Sequence, residues 1–200
     1  SGGSPYNVLI DLAKLGATFP LSGVVLVGDD DDGRSILADC RAHGIDTAQL
    51  HTTRDAATSY TDVMTVEKTG RRTFFHKRGA NAHLDVQHFR FAGSNARIFH
   101  LGYALLLARL DTLDTGRPRA CTILEAALAA GLQTSLDCVS EAGTRFQTIV
   151  KPMLPYVDTL FANDFEAEKL TGIPLRQGEQ IDPAAVRDAG RALLAAGVQG

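Results

Sequence analysis

Apolar residues follow a helical spacing in some stretches of the chain and a strand spacing in others. Val8 to Leu15 has the helical spacing, and Gly16 follows where a glycine commonly ends a helix. Val24 to Val27 is a short β-branched run, which is typical of a buried strand. A polar turn from Gly28 to Gly33 then leads to a second predicted helix, Arg34 to His43. The sequence thus predicts helices and strands in alternation.

The middle of the chain has a different pattern. Tyr60 to Val66 has the alternation of a strand, Lys68-Thr69-Gly70 is a turn signal, and Thr73 to His76 continues as a second strand. We therefore predict an antiparallel hairpin over approximately residues 58–79.

From residue 98 onward the alternation of strands and helices returns. The predicted strands are Ile98–Leu101, Thr134–Leu136 and Val157–Phe161, and the predicted helices are Cys121–Ala130, Asp164–Leu170 and a last one from Asp182 to Gly197. Such alternation with short links predicts an α/β fold with a mostly parallel sheet covered on both faces. Residues 196–200 are typical of a chain that is about to enter another strand, so we expect the chain to be a fragment.

Composition narrows the class of protein. Two hundred residues suit one domain, and 44% hydrophobic with 22% charged residues is ordinary for a soluble globular protein. The net charge of −3 favours neither nucleic acid nor an anionic membrane surface as a partner. Cys40, Cys121 and Cys138 form no CxxC pair, and no apolar run approaches the roughly 20 residues of a membrane span. We therefore expect a cytoplasmic protein.

Polar residues that follow the predicted strands are candidates for a site, because ligands of parallel sheets bind beyond the carboxyl ends of the strands. Gly102 and Asp137 hold such positions and are pocket candidates. Asn163 and Glu166 hold another, and two interpretations of this pair stay open. The pair could be a capping box that needs no ligand, or it could order Mg²⁺ beside nucleotide phosphates, directly or through water.

The N-terminal residues also have two interpretations. Gly2 and Gly3 could let a ligand approach the backbone where a helix begins, and Asn7 could bond to sugar hydroxyls. Alternatively, the segment is a flexible terminus with Asn7 as the N-cap of the helix.

Several common catalytic motifs do not occur. The acidic run Asp29 to Asp32 is out of register with a calcium-binding loop, so a solvated turn that caps the next helix explains it better. The sequence has no HExxH, GxSxG or GxxxxGK[ST], and no GxGxxG between a strand and a helix. These absences weaken interpretations as a metal hydrolase, an α/β-hydrolase, a P-loop kinase or a dehydrogenase.

Four segments, in this order, resemble the PfkB (ribokinase-like) carbohydrate kinase family. They are Gly2-Gly3-x-x-x-Asn7, Val27-Gly28-x-Asp30-x-x-Gly33, Arg78-Gly79-Ala80-Asn81 and Asn163-x-x-Glu166. The resemblance covers essentially the whole chain. It implies a ribokinase-like three-layer sandwich with a mostly parallel central sheet and a small β lid, and it makes residues 1–200 a partial, truncated kinase domain.

The resemblance implies ATP-dependent phosphorylation of a sugar hydroxyl with the help of Mg²⁺. By resemblance, sugar contacts fall on Gly2, Gly3, Asn7 and Asn81, and the ordering of metal and phosphate falls on Asn163 and Glu166. Lids of this family often pair, so a homodimer through the hairpin is a further expectation.

Two parts of the family pattern do not occur in this sequence. One is a first strand with a sugar-binding aspartate, and the other is the DTxGAGD segment, which supplies the anion hole and the catalytic base. The base is therefore expected beyond Gly200, no catalytic residue is assigned, and the 200 residues alone are expected to be inactive. Two alternatives stay open: a nucleoside kinase of the same superfamily, and a non-catalytic sugar-binding relic.

Overall fold

The structure is a computed structural model that describes residues 3–178 and 180–200. It divides into two compact units, Ser1–Phe89 (unit 1) and Arg90–Gly200 (unit 2). The expectation of one partial kinase domain over the whole chain stays a prediction. Within the described ranges, none of the helices has both the length and the apolar character that crossing a bilayer requires.

Unit 1 contains two helices, a parallel strand pair and an antiparallel hairpin. In chain order its elements are α1 (Ser4–Lys14), β1 (Ser22–Gly28), α2 (Asp31–Ala42), β2 (Asp46–Thr53), β3 (Tyr60–Thr65), β4 (Arg72–Lys77) and two 3-10 helices, Gly79–His83 and Val86–His88. β1 pairs with β2 in parallel, and β3 pairs with β4 in antiparallel fashion. The hairpin and the parallel pairing are confirmed, whereas β2 was not among the predicted strands.

Both helices of unit 1 begin earlier than the apolar spacing predicts. α1 begins at Ser4 because Gly3 takes the N-cap position and Pro5 occupies the first turn, where its missing N–H costs nothing. α2 begins at Asp31 because the Asp30 side chain accepts a hydrogen bond from the Gly33 N–H at 2.8 Å. The prediction that the acidic turn caps this helix is therefore confirmed, but Asp30 is not solvated as predicted, and the predicted helix starts at Val8 and Arg34 are wrong.

The helices of unit 1 pack on one side of the β1–β2 pair. Ile10 of α1, Cys40 of α2 and Ile45 form the buried centre. Partly buried apolar residues pack around this centre: Tyr6, Leu9, Leu21, Ile36 and Leu50. The core of unit 1 thus joins both helices to the strands.

Unit 2 is built around a three-stranded parallel sheet. In chain order its elements are β5 (Ile98–Ala104), β6 (Leu113–Asp114), β7 (Arg117–Pro118), α3 (Ala120–Ala129), β8 (Gln133–Cys138), a π-helical turn (Phe146–Val150), a 3-10 helix (Lys151–Tyr156), β9 (Thr159–Phe161), α4 (Asp164–Thr171), β10 (Arg176–Gln177), β11 (Gln180–Ile181) and α5 (Pro183–Ala195). The strand order is β5-β8-β9, and both pairings are parallel. The predicted strands and helices of this half are confirmed within a few residues at their ends.

The core of unit 2 packs against the β5-β8-β9 sheet, and consecutive residues of β8 are buried, so both faces of this central strand are covered. The largest fully buried side chains of this core include Leu124 of α3, Leu136 of β8 and Met153 of the 3-10 helix. At the far edge, the Gly200 N–H donates to the Asp158 carbonyl at 2.7 Å and the Leu160 N–H donates to the Gly200 carbonyl at 3.0 Å. The last residues therefore pair with β9 as a parallel strand would.

The start of α2 leaves no room for a side chain at Gly33. A Cβ added there would lie 2.1 Å from the Gly28 carbonyl oxygen, which belongs to the backbone and cannot rotate away. We expect Gly33→Ala to lower the free energy of unfolding by about 3 kcal/mol or more, as measured by urea unfolding followed by circular dichroism.

Gly190 is the matched control, because it lies inside α5 and, among the described residues, an added Cβ there meets nothing within 4 Å. Gly190→Ala should stabilise by about 0.5–1 kcal/mol. Equal effects of the two substitutions would contradict the steric explanation.

Candidate active site

The N-terminal candidates of unit 1 lie at the start of α1. Gly3 is the N-cap residue with φ 112°, a conformation that favours glycine, and its carbonyl accepts the Asn7 N–H at 2.9 Å. Asn7 lies inside the helix with its side chain exposed, so the interpretation of Asn7 as the N-cap is wrong. Gly2 lies outside the described residues. A sugar contact at Gly3 and Asn7 stays a prediction.

Asn81 lies at the base of the hairpin, in the 3-10 helix Gly79–His83. Its Nδ2 donates to the Ser59 Oγ at 2.8 Å, and Ser59 directly precedes β3. The side chain is half-buried, and its Oδ1 is available to a ligand in addition to this contact. Asn81 therefore joins the two ends of the hairpin, which spacing alone did not predict.

In unit 2, Asn163 and Glu166 meet at the start of α4, beyond the carboxyl end of β9. The Asn163 Oδ1 accepts the Glu166 N–H at 2.9 Å, and a Glu166 carboxylate oxygen accepts the Asn163 N–H at 3.0 Å. The capping-box interpretation is thus confirmed. The two residues also face the strand ends where parallel sheets bind ligands, so the second interpretation is compatible with the first.

Ser140 links this pair to the neighbouring strand β8. Its hydroxyl donates to the other Glu166 carboxylate oxygen at 2.7 Å and accepts from the Asn163 Nδ2 at 3.0 Å. Glu166 is only 6% exposed, so these bonds replace most of the water that its carboxylate would otherwise bind, and each oxygen keeps a further lone pair. The sequence did not single out Ser140, because nothing in the spacing connects it to a helix start 23 residues away.

This donor set suits Mg²⁺ held largely by water and phosphate. Within the residues that the structure describes, no three His, Cys, Asp or Glu side chains converge as a metal cage would require. Mg²⁺ usually keeps several waters and takes one or two carboxylates together with substrate phosphates. Glu166 with Asn163 matches that pattern, in which water and phosphate, rather than the protein, supply most of the ligands of the ion.

Asp137 and Gly102 lie together at the carboxyl ends of β8 and β5. A carboxylate oxygen of Asp137 accepts the N–H of Tyr103, the residue after Gly102. The other oxygen lies 3.5 Å from the Nε2 of His100, and the Nδ1 of His100 lies 2.9 Å from the Ser135 Oγ. The two pocket candidates are therefore adjacent, and Asp137 serves at least to hold the end of β5.

The end of β5 is backbone held in a rare conformation. Tyr103 has φ 61° and Leu105 has φ 80°, although neither is a glycine, and the β5–β8 register shifts between Leu101 and Ala104. Such residues cost roughly 1–3 kcal/mol each and persist only where the surroundings hold them in place. They also tend to occur at functional sites, so this segment (residues 102–105) is a candidate part of the site.

Two charged side chains hold the second of these residues. The Leu105 N–H donates to Asp111 at 3.2 Å, and Arg145 donates to the Leu105 carbonyl at 3.0 Å and to Asp111 at 3.1 Å. The Asp111 side chain is 2% exposed, so its charge is compensated within the protein. We call Asp111 and Arg145 the clamp at Leu105. The sequence gives no sign of it, because position 105 is not a glycine and Arg145 lies 34 residues from Asp111.

The cysteines do not supply a nucleophile. All three lie in the described part of the chain and are free and buried. Burial raises the pKa of the Cys121 thiol to about 11. Burial, together with the charges of Glu166 and Asp137, raises the pKa of Cys138 well above its usual range. The thiols stay protonated at neutral pH, so covalent cysteine chemistry has no support.

The profile of the pfkB family carbohydrate kinases matches residues 1–199. The chain belongs to this family. The four segments quoted from the sequence are therefore parts of one continuous family match, and the resemblance is confirmed.

Proteins similar to this chain include a fructokinase and, among solved structures, ribokinases. Fructokinase-1 from Oryza sativa subsp. japonica is 28% identical over 180 residues, which cover 86% of this chain and 53% of the relative. Among solved structures, the ribokinase from Giardia lamblia has a TM-score of 0.76 at 18% identity, over 98% of this chain and 56% of that one. A candidate ribokinase II from E. coli, solved in complex with ATP and Mg²⁺, has a TM-score of 0.73 at 18% identity, over 98% and 59%.

These likenesses confirm the ribokinase-like α/β fold with parallel strands. The chain spans about half the length of the curated relatives it matches.

The clamp at Leu105 can be tested through Arg145. We expect Arg145→Met to lower the free energy of unfolding by about 2 kcal/mol, because it removes a guanidinium from a buried carboxylate and a donor from a strained backbone carbonyl. Urea unfolding measures the loss.

Arg191→Met is the matched control, because Arg191 pairs with Asp188 on the surface of α5 with most of its side chain exposed. This variant should stay within about 0.5 kcal/mol of the wild type. A loss at Arg191 as large as that at Arg145 would argue against the clamp.

Proposed function

We propose that the protein of which this chain is part transfers the γ-phosphoryl group of ATP to a hydroxyl group of a sugar. The supporting observation is the family match over residues 1–199, together with a carboxamide and a buried carboxylate beyond the carboxyl end of a parallel strand. Fructokinases and ribokinases among the relatives favour a sugar as the acceptor.

Each unit, taken by itself, has polar residues at which sugar contacts are proposed. Gly3 offers backbone at a helix start, and Asn7 and Asn81 offer carboxamides that both donate and accept hydrogen bonds. Gly102 and Asp137 would line the pocket at the end of β5, and the family pattern gives the same sugar contact to Gly2. Sugars are bound largely through such paired donors and acceptors, so the residue types suit this ligand.

Asn163 and Glu166 would order Mg²⁺ and the nucleotide phosphates. In this role Glu166 binds waters of the ion, while Ser140 and the Asn163 N–H keep its carboxylate in a fixed orientation. Phosphoryl transfer depends mainly on positioning and on electrostatic stabilisation of a loose transition state, so a fixed carboxylate is what the reaction requires. One neighbour of the same fold was solved with ATP and Mg²⁺.

Catalysis would also need a general base and an anion hole. In the family pattern both belong to the DTxGAGD segment, which this sequence does not contain. Loss of a general base alone typically costs about 10²–10⁴ in rate. We therefore propose that the 200 residues alone give no measurable turnover, and that a longer protein containing them is the active kinase.

The proposal is tested on a longer protein in which this chain is followed by a DTxGAGD segment. With a panel of sugars that includes fructose and ribose, ADP release should depend on one of the sugars. Glu166→Gln should reduce this turnover at least about tenfold and raise the Mg²⁺ concentration needed, because a carboxamide orders the waters of the ion less well than a carboxylate.

Ser35→Ala, an exposed change on α2, serves as the control and should leave the turnover unchanged. Sugar-dependent ADP release from the 200 residues alone would contradict the proposed need for the additional segment. Turnover with nucleosides and with no sugar would favour the nucleoside kinase, which the exposed aromatic rings of Phe74 and Phe75 could assist by stacking on a base. Binding of a sugar without turnover in any longer form would favour the sugar-binding relic.

The hairpin β3–β4 would also be the interface of a homodimer. Its strand pairing places Tyr60, Met64 and Phe75 on one face, and each is more than half exposed. An isolated two-stranded hairpin is marginal in water, and exposed large apolar side chains grouped in this way commonly pack against another chain. We propose that this face packs against the same face of a second copy.

Sedimentation equilibrium tests the dimer. Met64→Lys should shift the protein towards monomer, because it places like charges opposite each other at a symmetric interface. Val63→Lys, on the opposite face of the hairpin, is the control and should leave the association unchanged. A wild-type protein that is monomeric at all concentrations would exclude this interface.

We also propose that the protein works in the cytoplasm. The support is the set of three free, buried thiols, which suits a reducing compartment.

A further inference from the structure

One of the four consecutive aspartates in the acidic turn points into the protein. The Asp30 Oδ1 accepts the Gly33 N–H at 2.8 Å and the Thr58 hydroxyl at 2.6 Å, and its Oδ2 accepts the Thr58 N–H at 2.7 Å. Three donors therefore converge on one carboxylate. These bonds, the one from the Thr58 hydroxyl first, hold the pKa of Asp30 below its usual range.

Thr58 connects Asp30 to the end of β1 by hydrogen bonds. It is 5% exposed, and its Oγ accepts the Gly28 N–H at 2.9 Å while its hydrogen goes to Asp30. A Cβ added at Gly28 would lie 2.6 Å from the Thr58 nitrogen and 2.8 Å from the Ala56 carbonyl oxygen. Glycine at position 28 thus lets the segment 56–58 lie directly against the strand end.

The hairpin begins directly after this segment. Ala57 precedes β3, and its carbonyl accepts the Ala80 N–H at 2.8 Å just after β4. Gly79, with φ 49°, approaches the same carbonyl so closely that an added Cβ would lie 2.4 Å from it. The two ends of the hairpin are therefore bonded together, and one of those ends is bonded to Asp30.

The same segment also contacts Asn81, a residue proposed to bind the sugar. Ser59 follows Thr58, and the Ser59 Oγ accepts the Asn81 Nδ2 at 2.8 Å. A shift of Thr58 would therefore move the acceptor that orients the Asn81 carboxamide. The 3-10 helix of Asn81 also lies against β1, so the base of the hairpin is held from both sides.

We propose that Asp30 is a positioning residue: through Thr58 it fixes the base of the β3–β4 hairpin and the orientation of the Asn81 carboxamide. The hairpin can then move over a bound ligand about a base that does not move. The movement of the hairpin over a bound ligand rests on the proposed function, whereas the fixing of the hairpin base by Asp30 does not. This role also explains why the segment Val27-Gly28-x-Asp30-x-x-Gly33 needs both glycines and this particular aspartate.

The other aspartates of the turn provide matched controls. Asp29 bonds to Arg34 and Arg54 on the surface at 3.2 and 3.1 Å, and Asp31 bonds to Arg34 at 2.8 Å. Asp32 is exposed in the first turn of α2. A change at Asp32 alters the same net charge and the same helix end as a change at Asp30, but it touches neither Thr58 nor the hairpin.

The test is amide hydrogen exchange, measured residue by residue by NMR on the 200-residue chain. In Asp30→Asn, the amides of the hairpin and of Ala80 should exchange about tenfold faster, because a carboxamide has one acceptor oxygen for three donors and turns its NH₂ towards one of them. Thr58→Val should show the same local pattern, since it removes only the bridging hydroxyl. Asp32→Asn and Thr58→Ser should exchange as the wild type does.

Faster exchange confined to residues 60–80, with α3 of unit 2 unchanged, supports the proposal. An equal acceleration throughout unit 1, or an unchanged hairpin in Thr58→Val, overturns it. If Asp30→Asn does not fold, Thr58→Val against Thr58→Ser decides the question alone.

A second measurement separates this proposal from the proposed function. In the longer, active protein, Thr58→Val should raise the KM for the sugar several-fold and leave the KM for ATP unchanged. An unchanged KM for the sugar overturns the role of Asp30 in orienting Asn81. A wild-type protein without turnover on any sugar contradicts the proposed function, and the exchange pattern then decides the role of Asp30 by itself.

Discussion

Carboxylates that accept hydrogen bonds from backbone N–H groups hold the strand and helix ends of both units. Asp30 binds the Thr58 and Gly33 amides in unit 1, and in unit 2 Asp137 binds the Tyr103 amide and Glu166 binds the Asn163 amide. Bonds of this kind are stronger than those between neutral groups, and they satisfy donors that a strand leaves unpaired where it ends. The polar side chains proposed to bind ligands are thus anchored by the same bonds that complete the fold.

Much of the fold could be predicted from local sequence patterns, and the predictions that were wrong have physical causes. The glycines after helices and the pair Asn163 and Glu166 were readable because caps act over three or four residues. The strand β2, Asp46–Thr53, has a polar sequence with partly buried residues, so its apolar signal is weak. The early start of α1 was missed because Pro5 adds no apolar residue to the periodicity, although proline is favoured there.

The candidate site was less predictable than the fold, because its contacts join distant parts of the sequence. Spacing pointed to Asp137 and Asn81 but not to their partners, Tyr103 and Ser59. The left-handed backbone of Leu105 carries no glycine to mark it, and it depends on an arginine 40 residues away. Family membership supplies the order of the segments, and the structure adds the side chains that hold them in place.

The buried, protonated state of the cysteines has a practical consequence. Thiol reagents attack thiolates, and Cys40, Cys121 and Cys138 present neither an accessible nor an ionised sulfur at neutral pH. The chain also lacks tryptophan. A cysteine introduced at the turn near Thr69 could therefore be labelled selectively with a fluorophore. The emission of the fluorophore would report on the hairpin, because the native cysteines would stay unlabelled and the protein has no tryptophan fluorescence.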